Sequence, residues 1–438
     1  MATFYVDNTL HPAANAVGTA TAGGADYILL DDAGTQADDE FNGYGILITG
    51  GTGAGQQRRI VDYDHTGHPS GERWAMVDSA WATNPDATST YEITVGCDGN
   101  SGASEGGGSG GAWRTIDRAM NAIAGAGGGG HRIYVKDGRA YLETATVDTA
   151  GQTGGPVIVE GYGSTPGDGG MATVDGGGVR SSGITSSISG GIYHVFRNLR
   201  ATHCTASGFD MPTTQTVRFI NCVSENNGAN GFNMGQDNLV LGCEAIGNGG
   251  HGFICVSSST FFGTVFVHCR SRGNGNQQYK GGSILLVFCT ASGLANNKQA
   301  VAAPVTPDGA ILINCAIDGT GSTGATGYYM SLGVRQMAIN CIFSNLNRGI
   351  QAVSTDLNRF GRNNLFFNCS AGDMTNFVSD GGDVLADPGF VDAAAGDFRL
   401  AVGSPALRAG WPGHLDIGAA QHPSRNMIGG PCQVGVQG

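Results

Sequence analysis

The sequence predicts an all-β chain wound into a parallel β-helix, and three observations predict it. Glycine supplies 76 of 438 residues while charged residues reach only 13%, and each interior glycine costs a helix about 1 kcal/mol. Eight cysteines, Cys204, Cys222, Cys243, Cys269, Cys289, Cys315, Cys341 and Cys369, stand 18, 21, 26, 20, 26, 26 and 28 residues apart, the period of a solenoid. Turn-forming clusters recur at one phase, as Asn226-Asn227-Gly228, Gly247-Asn248-Gly249 and Gly273-Asn274-Gly275, residues that tolerate the positive φ of sharp corners. With 40% hydrophobic residues the chain can fill a core, which argues against disorder. Thirteen prolines and no Gly-X-Y period exclude collagen.

From the N-terminus, the first element is a small β-sandwich or barrel over residues 1–96. Tyr27-Ile28-Leu29-Leu30, Gly45-Ile46-Leu47-Ile48-Thr49, Arg59-Ile60-Val61-Asp62-Tyr63, Trp74-Ala75-Met76-Val77 and Tyr91-Glu92-Ile93-Thr94-Val95 read as its short strands. Gly51-Thr52-Gly53-Ala54-Gly55-Gln56-Gln57-Arg58-Arg59 has the look of a phosphate loop but lacks the GK[ST] ending; a hairpin loop is the plainer reading. Residues 97–111, rich in Gly and Ser, form a flexible linker. The stretch 112–123 then places Trp113, Ile116, Met120 and Ile123 on one helical face. Such a helix caps the open end of a β-helix, whose end strands otherwise pair with other chains; the alternative is a partner-binding helix.

The coils occupy 112–420, about ten of them, and 421–438 is a C-terminal tail. Two residues before the cysteines stand Thr202, Ile220, Leu241, Val267, Val287, Ile313, Ile339 and Phe367, and two after come small or apolar residues such as Ala206, Ser224, Ala245 and Ile317. Alternation along a strand places these with the cysteines on an inward face. The residues directly after each cysteine, including Glu244, Arg270, Thr290, Ala316 and Ile342, then face water. A second strand recurs as Gly208-Phe209-Asp210-Met211, Gly231-Phe232-Asn233-Met234 and Gly252-Phe253-Ile254-Cys255. Thiols in one file between aliphatics read as packing, since free Cys behaves as a small hydrophobe; stacked thiolates on a metal need converging ligands.

The residues here carry a resemblance. Trp113-Arg114-Thr115-Ile116, followed by Ile133-Tyr134-Val135-Lys136-Asp137-Gly138 and Tyr141, resembles the start of the right-handed parallel β-helix superfamily of pectate lyase type. Asp387-Pro388-Gly389-Phe390-Val391-Asp392, Gly396-Asp397-Phe398-Arg399-Leu400, Gly403-Ser404-Pro405-Ala406 and Asp416-Ile417-Gly418-Ala419 are similar to its closing segment. The resemblance covers roughly 110–420 and implies the right-handed winding. It implies little about function, because the fold hosts lyases, hydrolases, adhesins and viral spikes. Gly51-Thr52-Gly53-Ala54-Gly55 with Ile60-Val61-Asp62-Tyr63, and Trp81-Ala82-Thr83 with residues 85–91, resemble small β modules of bacteriophage virion proteins.

Candidate chemistry is sparse. A lyase or glycosidase needs carboxylates gathered on one face. The nearest candidates are Glu244 and Arg270 on adjacent coils with Lys280 nearby, against the plainer reading of a surface ion pair. Asp380, Asp383 and Asp387, with Asp373, are a candidate Ca²⁺ cluster, against ordinary turn aspartates. Asn221, Asn314, Asn340 and Asn368, each before a cysteine, present a polar stripe to sugars or satisfy strand-edge backbone. No cofactor is expected.

With 23 basic and 36 acidic residues, nucleic-acid binding is not expected. No signal peptide or membrane-length apolar run is present. Eleven cysteines without a CxxC pair fit free thiols made in a reducing cytoplasm. The phage-module resemblance implies a structural or adhesive virion component: a spike, fibre or capsid decoration at the virion surface. It would join other virion proteins through the N-terminal domain and bind a host-surface polysaccharide, as a homo-oligomer, a trimer by the resemblance. The alternative is a β-helix polysaccharide lyase or glycoside hydrolase, borne on a virion as a depolymerase.

Overall fold

A computed structural model describes residues 3–7, 16–31, 36–42, 44–65, 72–94, 113, 115–126, 129–138, 140–151, 155–256, 263–303, 309–330, 336–353, 359–393, 395–412 and 415–420. The expected linker 97–111 and the tail 421–438 lie outside the described residues. The chain divides into two compact units, Met1–Gly228 and Ala229–Gly438.

The first unit opens with a strand that leaves its sequence neighbours. Thr3–Val6 pairs in parallel with Arg132–Lys136, so it belongs to the coils and not to the small β domain read over 1–96. That β module is a seven-stranded antiparallel sheet, in the spatial order Ala16–Thr19, Thr90–Thr94, Gly45–Gly50, Gln57–Asp64, Trp74–Val77, Tyr27–Leu29, Ala22–Gly23. Ile28, Ile46, Ile48, Ile60, Tyr63 and Ile93 pack inside it. Residues 51–56 connect two antiparallel neighbours, with Gly51, Gly53 and Gly55 at positive φ, which is the hairpin loop of the sequence reading.

The helix spans Ile116–Ala126 and starts later than the periodicity predicts. Thr115 terminates it: the Arg118 N–H donates to Thr115 Oγ1 at 3.2 Å, an N-cap that satisfies one of the orphan donors. Trp113, outside the helix, bridges to Val6, and the Asp7 N–H donates to its carbonyl at 2.7 Å. Ile116, Met120 and Ile123 are buried as predicted.

Each full coil carries three strands, one to each of three parallel sheets, where the sequence reading allowed two. In the first unit the first sheet contains Arg132–Lys136, Val157–Tyr162, His194–Arg197 and Arg218–Ile220; the second contains Ala172–Asp175, Leu199–Thr202 and Val223–Glu225; the third contains Ala145–Val147, Ile184–Ser186 and Phe209–Gln215. In the second unit the first sheet runs from Leu239–Leu241 to Arg359–Arg362, the second from Glu244–Ile246 to Val384–Leu385, and the third from Phe232–Gln236 to Met374–Thr375. The coils number about nine. They form a right-handed parallel β-helix, the sense that parallel crossovers follow as a rule. Phe232, Phe253 and Tyr279, inward residues of the third sheet, stack at 4.8 and 5.2 Å between ring centroids.

The cysteine row exists, but its geometry corrects the prediction in two ways. The cysteines sit at a corner between strands of the first and second sheets, and the residue before each is left-handed: Asn221, Gly242, His268, Phe288, Asn314 and Asn340 have φ of 51–63°. That residue inverts the alternation. The inward partners are therefore three before the cysteine, Phe219, Val240, Phe266, Leu286, Leu312 and Ala338, all buried, whereas Ile220, Leu241, Val267, Val287 and Ile313 at two before are only half-buried. Second, Cys204 and Cys369 are not in the row. They follow second-sheet strands, Leu199–Thr202 and Leu365–Phe367, at the next corner. Theirs are the shortest and longest separations in the series.

In the second unit, register stacks Cys243, Cys269, Cys289, Cys315 and Cys341, with Asn364 next. Three of these thiols point at the carbonyl three residues before the matching cysteine of the preceding coil: Cys269 at Val240 (3.3 Å), Cys289 at Phe266 (3.5 Å) and Cys315 at Leu286 (3.5 Å). Burial raises the Cys289 and Cys341 thiols well above their ordinary range, so they stay protonated and unreactive. Labelling of the native chain with a thiol reagent, read by peptide mass spectrometry, is expected to spare the row from Cys222 to Cys341. In guanidinium every one of these should label, and native labelling at Cys289 would contradict the packing.

A second expectation concerns Glu143, whose buried carboxylate accepts the Ile116 and Asp117 N–H groups at 2.8 and 2.9 Å. Desolvation outweighs these bonds and pushes its pKa up from 4.5 to about 8, and burial raises Asp117 in the same direction. An acid with a raised folded pKa keeps its proton better folded than unfolded, so stability is complete below the unfolded value and falls as pH climbs toward the folded one. The urea midpoint should drop between pH 4.5 and 8, and Glu143→Gln should flatten that decline; an unchanged slope in the variant would refute the assignment.

Candidate functional site

Left-handed backbone suits Asn and Gly and strains bulky side chains. At the corner between the first and second sheets, Asn314, Asn340 and Asn363 use this conformation to reach the C-terminal segment. Asn314 Nδ2 donates to the Asp416 carbonyl at 3.0 Å, Asn363 Nδ2 to the Ala409 carbonyl at 2.8 Å, and Asn340 Nδ2 to the Trp411 carbonyl at 2.6 Å. The Trp411 N–H returns a bond to Asn340 Oδ1 at 2.9 Å. Asn314 and Asn340 do satisfy backbone groups, but those of the C-terminal segment and not of a strand edge. Asn368 donates instead to Asn345 Oδ1 at 3.0 Å.

The segment so held packs along the outside of the second sheet in the second unit. Phe398, Leu400, Ala406, Ile417 and Ala419 lie on Ala316, Ile342 and Leu365. This corrects the expectation that residues after the cysteines face water: Ala316 and Ile342 are fully buried, and they are apolar because they are covered. Arg270 and Thr290, on the neighbouring coils, are left partly open.

A groove of about 400 Å³ runs where the cover stops, lined by His268, Arg270, Phe288, Thr290, Asp397 and Arg399 among others. His268 and Phe288 occupy the left-handed corner position and stack with ring centroids 5.0 Å apart and planes 8° from parallel. Asp397 and Arg399 form a bidentate pair, Nε on Oδ1 and Nη2 on Oδ2, that lowers Asp397 to about 2. Burial lowers the His268 pKa, so the imidazole is neutral at pH 7.

Of the residues singled out in the sequence, Glu244 and Arg270 face each other in register and pair at 3.6 Å. Lys280 is not with them. It lies on the third sheet opposite Ile254 and Ala302, around a corner from the other two. Asp380, Asp383 and Asp387 do not converge: Asp380 pairs with Arg362 at 3.6 Å, Asp383 accepts the Asn364 N–H at 2.8 Å, and Asp387 accepts the Gly389 N–H at 2.8 Å. Among the described residues, no three His, Cys, Asp or Glu side chains gather to hold a metal ion. Sequence reasoning missed Phe288 and Arg399. The available signal was a bulky residue at a corner position that its neighbours fill with Asn or Gly.

No protein-family model matches the chain, and no curated protein matches it. Among solved structures, a pectate lyase is similar at 17% identity over 71% of this chain and 91% of its own, with a TM-score of 0.48. An alginate lyase from Paenibacillus sp. matches at 13% identity over 62% and 97%, TM-score 0.43. A protein of Geobacillus virus E2, ORF18, matches at 10% identity over 60% and 55%, TM-score 0.35.

The groove depends on the clamp that holds its outer wall. Asn340→Gly keeps the left-handed backbone accessible while deleting both side-chain bonds to Trp411, and should destabilise docking of the segment by about 1–3 kcal/mol. Limited proteolysis should then cut residues 401–420 faster than in the parent chain; equal cutting rates would show that the clamp is idle.

Proposed function

We propose that this chain is a glycan-binding structural protein of a phage-like particle, with the second-sheet groove as its sugar site. The single observation that carries this reading is the His268–Phe288 ring pair. Two stacked rings at strained backbone positions line the open groove with apolar surface. Arg270, Thr290, Asp397 and Arg399 set hydrogen-bonding groups around it. An apolar surface with a few placed polar groups is what a sugar ring, with one apolar face and a rim of hydroxyls, requires. Strained residues at an open site point to a role beyond folding.

The particle-borne part of the reading is supported by the likeness of residues 51–91 to virion β modules. In it the N-terminal module anchors to other virion proteins, the coils display the groove at the virion surface, and copies associate as trimers. A second reading, a lyase or glycosidase working in the same groove, is favoured by Asp397 and Arg270 sharing its walls.

The test uses Phe288→Asn. Asparagine relieves the left-handed strain, so stability should hold or rise by about 1 kcal/mol. Binding to the glycans retained on an array should fall at least about tenfold, the loss of a ~1.4 kcal/mol contact. Unchanged glycan affinity in a stable Phe288→Asn variant would sink the proposal. Cleavage of bound polymer that disappears in Asp397→Asn would instead establish the enzymatic reading.

A further inference from the structure

We propose that the joint between the N-terminal β module and the capping helix, both in the first unit, is a binding site for a small molecule bearing a phosphate or carboxylate group. Two arginines meet there. Arg58 comes from the strand Gln57–Asp64 and Arg118 from the first turn of the helix Ile116–Ala126. Their relative exposures are 7% and 8%, and each lies on a tryptophan: Arg58 over Trp81 at 5.3 Å, Arg118 over Trp113 at 4.3 Å. A cavity of about 580 Å³ opens between them, walled also by Asp78, Ser79 and Asn121.

The charge is incompletely matched. Among the described residues lining the cavity, Asp78 is the one acid. It pairs with Arg118 and also accepts the Arg59 N–H at 3.2 Å and the Ser79 hydroxyl at 3.3 Å. Arg58 gives its N–H groups to neutral acceptors, the carbonyls of Gln57, Ser79 and Ala80 at 2.6–3.1 Å. Among the described residues, Arg118 Nε is buried with no hydrogen-bond partner. Asp117, also nearby, is turned away to the Thr146 N–H at 2.9 Å and Asn121 at 3.1 Å. Two guanidinium groups face one carboxylate, and burial together with their mutual repulsion lowers the Arg58 pKa.

An oxyanion between them would take the remaining N–H groups of both arginines in the planar, charge-assisted geometry that guanidinium favours. The cavity is larger than a bare ion and falls in the range of small-molecule sites, so the anionic group can carry an organic body. The glycine-rich run 51–59 therefore contributes an arginine to the site, and its glycines only the hairpin that aims it.

The experiment is thermal unfolding and calorimetric titration of the full chain with inorganic phosphate and with succinate, against sodium chloride at matched ionic strength. A saturable rise in Tm with phosphate or succinate and none with chloride is expected, and the stronger of the two identifies the anionic group. Arg118→Gln should weaken binding at least about tenfold, while Arg218→Gln, at the exposed start of the strand Arg218–Ile220, should leave it unchanged. Because Arg118→Gln also loses the tie to Asp78, Asn121→Asp serves as a second variant that adds charge to the wall without touching either arginine, and it should weaken binding as well. Equal Tm responses to all three salts, or unchanged affinity in both site variants, would overturn the proposal.

Discussion

The left-handed residue at one particular corner of each coil organises this molecule. At the corner between the first and second sheets the chain changes direction by placing a single residue at φ of 51–63°, and everything nearby follows. The next residue turns inward, so the cysteine row forms. The strand before the corner is inverted relative to a straight run, so its inward residues are those three before the cysteine. The side chain of the corner residue itself is thrown outward, where it is available for other uses. Asn and Gly accept this geometry at little cost.

What the corner residue then does depends on what lies outside it. Under the C-terminal segment, Asn314, Asn340 and Asn363 serve as clamps, and the outward residues Ala316 and Ile342 become part of a second apolar layer. Past the edge of that cover, His268 and Phe288 fill the same position with rings, and the outward residues become Arg270 and Thr290. The groove is thus a boundary effect. The core repeats from coil to coil, while its outer surface changes character where the covering segment ends.

Much of this was legible in the sequence. The cysteine spacing, the Gly-Phe strands of the third sheet, the apolar face of the capping helix and the hairpin at 51–56 all follow from local pattern. The inverted parity was not legible, because Asn, Gly, His and Phe share no sequence signature even though all four occupy one conformation. Cys204 and Cys369 were assigned to the row because spacing counts residues and cannot see which of two corners a cysteine occupies. The burial of Ala316 and Ile342 depends on a segment tens of residues away, and nothing local announces it. Glu244 and Arg270 were paired correctly by register, but Lys280 was not, because a corner of unknown angle intervenes.

Within the second unit, Glu244, Arg270 and Thr290 stand in successive coils at one register position, and each strand bonds only to the strands before and after it. Such a chain is open to evolutionary splicing by whole circuits. Losing residues 270–289 would bring Thr290 against Glu244 with the interior undisturbed, and a tandem duplication of the same stretch would add one storey bearing a second Arg270 and Phe288. Descent can therefore lengthen this molecule and multiply its exterior features without redesigning its core.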